Sequence, residues 1–191
     1  MKTLIKYLST VFKHRWYVFI YCCKCGLIWQ GLIHDLSKFS FNELIPGIKF
    51  ANGKQSPHEV QIEKEGYSSA WLNHQGHNKH HPEYWIDYTH FDVPCKMPKK
   101  YVVEMFCDRL AASRTYKGKD FKPYDPLNYT KNKETKEKRL FNPETYKQLV
   151  WLQTAYAVDR DGYIFAFIRD WLHDRKEITY EIQSEEISKE A

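Results

Sequence analysis

Apolar residues recur at Leu4, Leu8, Val11, Phe12, Val18 and Cys22 with no proline among them, a spacing that predicts a helix from Thr3 to about Leu27. Gly26 is placed to loosen or end it, and Leu27 to Phe39 reads as a second helix. Ser40, followed three residues later by Glu43, has the form of a capping box and announces a short helix that Pro46 and Gly47 interrupt. After a surface loop over Ala51 to Pro57, a major helix is expected from His58 through Trp71 to about His74. Asp87 to Pro98 reads as a loop, and Lys99 to Ala112 as a strong helix with Val102, Val103, Met105, Phe106 and Leu110 apolar. Beyond Ser113 the chain turns polar and tyrosine-rich, with Lys131 to Arg139 expected to be exposed. Asn142-Pro143-Glu144 supplies a cap, a first-turn proline and an early acid, and so predicts a helix through Tyr156. Asp159-Arg160-Asp161-Gly162 is read as a turn, because Phe165 and Ile168 follow where a calcium loop needs oxygen ligands. Tyr163 to Leu172 gives a last amphipathic segment, and the tail from about Lys176 is expected to fray.

The pattern therefore predicts an all-α fold. Composition agrees: aromatic residues are plentiful, while glycine and proline number only 8 each, which favours packed helices over a turn-rich β-sandwich. With 191 residues the chain is long enough for one helical core, expected over 1–115, an extension packed on it over 116–175, and an acidic tail over 176–191. The apolar run from Trp16 to Ile33 is near the lower limit for a membrane span and contains Lys24, Gln30 and two glycines, so it reads as a buried core helix. No membrane association is expected. Five cysteines, three of them crowded at Cys22, Cys23 and Cys25, do not form a disulfide framework, and a reducing cytoplasm fits them as buried free thiols. The net charge of +5 is concentrated between Lys96 and Arg139, where 13 Lys or Arg face 6 Asp or Glu. Such a stretch is most often a solvated face, though it also attracts phosphorylated ligands.

Chemistry is suggested by side chains at particular places. His34-Asp35 sets an imidazole beside a carboxylate, with Lys38 one turn on, where a point charge can meet a phosphate oxygen. Between Ala70 and Trp85 lie four of the nine histidines, His74, His77, His80 and His81, irregularly spaced and flanked by tryptophans. Neutral imidazoles in such a group are good ligands for divalent transition metals. Asp108 falls on an apolar helical face, where a carboxylate is costly unless paired with Arg109 or Arg114 or bound to a cation. Glu104 lies one turn earlier and can share that face as a base or a supporting ligand. His14, on its own, would be a packed core histidine.

Taken in order, His14, His34-Asp35, His74, His80-His81 and Asp108 resemble the HD-domain superfamily of metal-dependent phosphohydrolases. That superfamily is defined by a histidine, a His-Asp pair and a distant aspartate on an α-helical bundle, and the likeness covers roughly residues 1 to 115. His34-Asp35-Leu36-Ser37-Lys38 also resembles the His-Asp-x-x-Lys form of the cyclic-dinucleotide phosphodiesterases, with His80-His81 similar to their histidine pair, although Pro82-Glu83-Tyr84-Trp85 stands in place of their Gly-Tyr-Pro element. A narrower resemblance, carried by His34 to Ser40, Ala70-Trp71, Asn78-x-His80-His81 and Met97-Pro98, is to small bacterial and phage proteins of unassigned function. The resemblance implies an HD-like bundle holding one or two divalent ions (Mn, Fe, Zn, Ni or Mg) on His14, His34, Asp35, His74, His80, His81 and Asp108. Catalysis is expected from Asp35, Lys38 and Glu104 on a small phosphorylated substrate, a nucleotide among them, ahead of nucleic acid. Two rivals stand beside this: a di-iron oxygenase, and a metal-stabilised module binding nucleic acid or protein.

Overall fold

The computed structural model describes residues 2–52, 55–87, 89, 93–132, 138–159 and 162–180. Among these the fold is all-α, with no strand. The helices, in chain order, are α1 (Lys2–Lys24), α2 (Ile28–Ile33), α3 (Phe41–Phe50), α4 (Pro57–Glu65), α5 (Ser69–His77), α6 (Lys99–Lys117), α7 (Asp125–Asn132), α8 (Pro143–Val158) and α9 (Tyr163–Leu172). α1 and α6 form the central pair. Their facing stripes, Val18 and Cys22 on one and Val102, Phe106 and Leu110 on the other, are wholly buried, as is Cys25 in the turn that follows α1. Leu149 and Leu152 of α8 and Ile168 and Trp171 of α9 join the same core. α3 packs on both α4 and α5 beside it.

Several elements differ from the periodic reading, each for a local reason. The helix expected over Leu27 to Phe39 is three pieces: α2 ends at Ile33, His34 is extended, and Asp35 takes the left-handed conformation (φ 54°) before a 3-10 turn over Leu36–Phe39. Aspartate is among the few non-glycine residues that tolerate this region. The helix expected over His58 to His74 is broken at Gly66, whose φ of 79° ends α4. α3 instead runs straight through Pro46 and Gly47. A Cβ at position 47 would overlap the Tyr7 hydroxyl, so the glycine permits a close approach to α1 that outweighs the hydrogen bond lost at proline. α6 reaches Lys117, five residues past its expected end, and the polar stretch after it folds back as α7. Residues 133–137, 160–161 and 181–191, within the expected exposed run, turn and tail, lie outside the described residues.

The caps were legible in part. Asn142 Oδ1 accepts from the Glu144 amide at 3.0 Å, as its sequence context predicts. Ser40, however, makes no side-chain cap bond, and no capping box forms, because Glu43 turns inward. Asp159 is a cap the sequence did not announce: its carboxylate accepts from the amides of Tyr163 and Ile164 at 3.1 and 2.9 Å.

The apolar run from Trp16 to Ile33 is not one buried helix. It divides at Gly26 (φ 79°), and Trp16, Ile28, Trp29, Leu32 and Ile33 are exposed. Among the described residues no helix is long and apolar enough to cross a membrane. α2 lies against α1 through Gly31, where an added Cβ would meet Cys22 Cβ at 2.9 Å and the Phe19 Cα at 3.1 Å. Gly31→Ala is therefore expected to lower stability by about 1–3 kcal/mol through overpacking, as read from denaturant unfolding. A neutral result would mean that α2 moves off α1 without penalty.

Candidate metal centre

The left-handed turn at Asp35 places its carboxylate, only 2% exposed, at the meeting point of four elements. α1 brings His14, α6 brings Asp108, and the end of α2 brings His34. α5 and the turn after it bring His74, His80 and His81. His74 and His80 reach the centre although they are six residues apart, because α5 stops at His77 and the following turn folds back. Asn78 fixes that turn, its amide donating to the Ser37 hydroxyl and the His74 carbonyl, both at 2.7 Å.

The two oxygens of Asp35 face different partners. Oδ1 lies 3.4 Å from His74 Nε2 and 3.5 Å from His80 Nε2. Oδ2 lies 3.5 Å from His34 Nε2, 4.0 Å from His14 Nε2 and 3.3 Å from Lys38 Nζ. Asp108 Oδ1 closes the second side, 3.0 Å from His14 Nε2 and 3.5 Å from His34 Nε2. His81 completes the first, in a group with Asp35, His74 and His80 whose donor atoms all lie within 4.8 Å of one another. All seven residues named as ligands from the sequence, His14, His34, Asp35, His74, His80, His81 and Asp108, thus fall into clustered groups that can hold a metal ion. Asp35 belongs to two of these groups. Arg109 and Arg114, the alternative partners for Asp108, reach Thr130 and Tyr21. His77 is exposed and bonds the Asn73 carbonyl.

Behind the imidazoles stand two buried carboxylates. Glu104 Oε1 accepts from His34 Nδ1 at 3.0 Å and from His80 Nδ1 at 3.1 Å. Glu43 Oε2 accepts from His74 Nδ1 at 2.8 Å. With Nδ1 donating to a carboxylate, each ring turns its Nε2 toward Asp35, the arrangement that carboxylates impose on metal-binding histidines. Glu104 is therefore a positioning residue: its oxygen lies on the far side of the rings from the centre. Glu43 was missed from the sequence, where it passed for a capping residue. The signal was its spacing, since Glu43, Gly47 and Phe50 form the buried face of α3.

The electrostatics follow from burial against clustering. Burial opposes the charge on Asp35, but His34, Lys38, His74 and His80 overcome it and hold the carboxyl well below the usual range. Asp108 is likewise held low against burial, chiefly by His14 and His34. Burial would lower His34, yet Asp35, Asp108 and Glu104 raise it well above an ordinary imidazole. His81 goes the other way, pushed well below by burial and by His80 and His74.

The donor set fits a divalent cation. His34 Nε2, His80 Nε2 and Asp35 Oδ1 are buried with no hydrogen-bond partner, and the two ring nitrogens each lie 3.5 Å from an oxygen of the Asp35 carboxylate. A buried polar atom left so is costly. Two donors each about 2.1 Å from one ion at tetrahedral or right angles stand about 3.0–3.4 Å apart; the His74–Asp35 and His14–Asp108 separations fall in that range, three others lie at 3.5 Å, and His14–Asp35 is wider at 4.0 Å. Imidazole nitrogens mixed with carboxylates suit zinc, iron, manganese or nickel better than magnesium.

Arg15 holds the turn that carries His34-Asp35. Its guanidinium donates to the His34 carbonyl and, at 3.0 Å, to the Leu32 carbonyl, so α1 ties down the open end of α2. Arg15→Lys cannot form the fork. It is expected to weaken metal uptake about tenfold with helicity unchanged, as measured by competition with a chelating dye; an unaltered affinity would remove Arg15 from the site.

Fold and site together define an all-helical protein built around a buried His/Asp cluster that can hold metal. The chain belongs to a family of unknown function, DUF5662, whose family model matches residues 3–154. Neither the curated proteins nor the solved structures contain a match.

Proposed function

We propose that the chain is an HD-type, metal-dependent phosphohydrolase of the cytoplasm, acting on a nucleotide or another small phosphorylated molecule. The observation that carries this reading is Lys38. Its ammonium lies 3.3 Å from Asp35 Oδ2, yet its side chain is still 25% exposed, so it can meet both the centre and an arriving ligand. Burial opposes its charge, but Asp35 and Glu43 raise it, so it stays protonated.

The geometry supports a division of labour. Asp35, with Oδ1 toward His74 and His80 and Oδ2 toward His34 and His14, would serve as a ligand to either histidine group. His14, His34 and Asp108 would hold one ion, and His74, His80 and His81 a second. A bound divalent ion lowers the pKa of its water and polarises a phosphoryl oxygen. Glu104 and Glu43 keep the imidazoles oriented, and Lys38 neutralises charge on the phosphate. The likeness of His34-Asp35-Leu36-Ser37-Lys38 to the His-Asp-x-x-Lys form supports the same assignment.

Protein purified without added metal should contain one or two divalent ions per chain and release phosphate from some member of a nucleotide and phosphate-ester panel. His34→Ala and Asp35→Ala variants that keep both metal and activity would defeat the proposal. Two irons with a visible absorption band and no hydrolysis would favour the oxygenase. Lys38→Met separates the roles: metal should remain, while affinity for phosphorylated ligands falls about tenfold or more, as calorimetry would record. Unchanged ligand affinity would count against hydrolysis.

A further inference from the structure

The outer face of α1 and α2 is apolar and exposed, and among the described residues no other helix covers it. Ile5, Phe12 and Trp16 follow one line along α1, at i, i+7 and i+11, and are 57–62% exposed. Beside them α2 presents Ile28, Trp29, Leu32 and Ile33, with Trp29 at 67%. Gly31 accounts for the arrangement: by seating α2 tightly on Phe19 and Cys22, it turns the rest of that helix outward. Leu36 continues the patch into the 3-10 turn. A contiguous apolar surface of this kind marks an interaction site.

The charge around it selects the partner. Lys6, Lys13 and Lys24 form the adjacent line on α1, at i, i+7 and i+18, and all three are exposed. From Met1 to Asn42 the chain holds six bases and a single acid, Asp35, which is buried in the metal centre. A second copy docked face to face would set lysine against lysine with no carboxylate to pair them. An anionic surface would not. Two exposed indoles on an apolar ridge bordered by lysines are what a helix lying in the headgroup layer of a bilayer requires.

We propose that the α1–α2 face docks peripherally on anionic lipid membranes, with Trp29, Ile28, Leu32 and Trp16 entering the headgroup region and Lys6 and Lys13 meeting lipid phosphates. The proposal does not rest on the hydrolase reading. It also revises the expectation from sequence that the chain avoids membranes, because that expectation took the run from Trp16 to Ile33 to be buried.

The test is flotation of the full chain with vesicles of phosphatidylcholine alone or mixed with phosphatidylglycerol. Binding is expected to the mixed vesicles, weakened by salt, with tryptophan emission shifted to the blue and quenched by brominated acyl chains. Trp29→Ser combined with Leu32→Ser should lower vesicle affinity about tenfold or more, and Lys6→Glu with Lys13→Glu should remove the preference for anionic lipid. All four positions are exposed, so circular dichroism and the thermal midpoint should not change. Folded protein that fails to float with anionic vesicles overturns the proposal. So does a concentration-dependent dimer, seen by sedimentation, that Trp29→Ser dissolves, since the face would then belong to a second copy. Binding to an acidic protein without binding to vesicles would also overturn it.

Discussion

Asparagine in place of Asp35 is expected to abolish divalent-cation uptake at both histidine groups while leaving the helices intact. Asparagine is isosteric and tolerates the left-handed backbone that position 35 adopts, so the turn between α2 and the 3-10 segment survives. What disappears is the negative charge shared by the two groups, and an amide hydrogen now faces imidazole lone pairs. Removing supporting residues behind a metal weakens affinity about 10- to 100-fold, and loss of a shared ligand should exceed the upper end of that range. The readout is thermal unfolding with and without added zinc or manganese. At a hundredfold excess over the dissociation constant, a bound metal is expected to stabilise the wild type by about 2.7 kcal/mol, a rise of roughly 5–11 °C for a chain of this size. The variant should show no rise. A variant that gains the same increment, or retains metal after dialysis, would mean that Asp35 is not the shared ligand.

The second large effect is at Glu104, and it should appear even without metal. Its one oxygen, buried on α6, accepts from both His34 and His80. Glu104→Ala strands two imidazole N–H groups in a buried site, each at a penalty of about 1–3 kcal/mol. The expected loss is roughly 2–6 kcal/mol in denaturant unfolding of the metal-free protein. Glu104→Gln retains an acceptor and should lose less, while still weakening metal binding about tenfold. If alanine there changes stability by less than about 0.5 kcal/mol, the value typical of a neutral surface substitution, the two hydrogen bonds do not hold the rings.

How far the site was legible depended on which signal each residue carried. His14, His34, Asp35, His80, His81 and Asp108 announced themselves as ligand types in a recognisable order. Asp108 also violated the apolar pattern of its helix, and Glu104 stood one turn away on the same face. Arg15, one more cation in a basic segment, carried no such mark, and the spacing that sets Glu43 on the buried face of α3 was masked by its likeness to a capping residue. Both act through contacts with residues distant in sequence, Glu43 with His74 and Arg15 with the end of α2.

The errors in the helix map have a common origin. Periodicity records which residues share a face of one helix, but it is blind to a single residue in an unusual backbone conformation. Asp35 and Gly66, both with positive φ, split two expected helices and in doing so created the turn that aims His34-Asp35 and the corner that starts α5. The exposed face of α2 was misread for a related reason: an apolar run does not say whether protein covers it.

By itself, then, the sequence determined an all-helical chain, the positions of most helices and the identities of the donor side chains, because these follow from local spacing and chemistry. The tertiary structure alone decided that the two oxygens of Asp35 face separate histidine groups. It also decided that Glu104 and Glu43 stand behind the rings, and that the apolar side of α2 is turned outward. Each of these depends on which element packs opposite which, and that is settled by contacts between residues far apart in the chain, such as His34 with Glu104, 70 positions away.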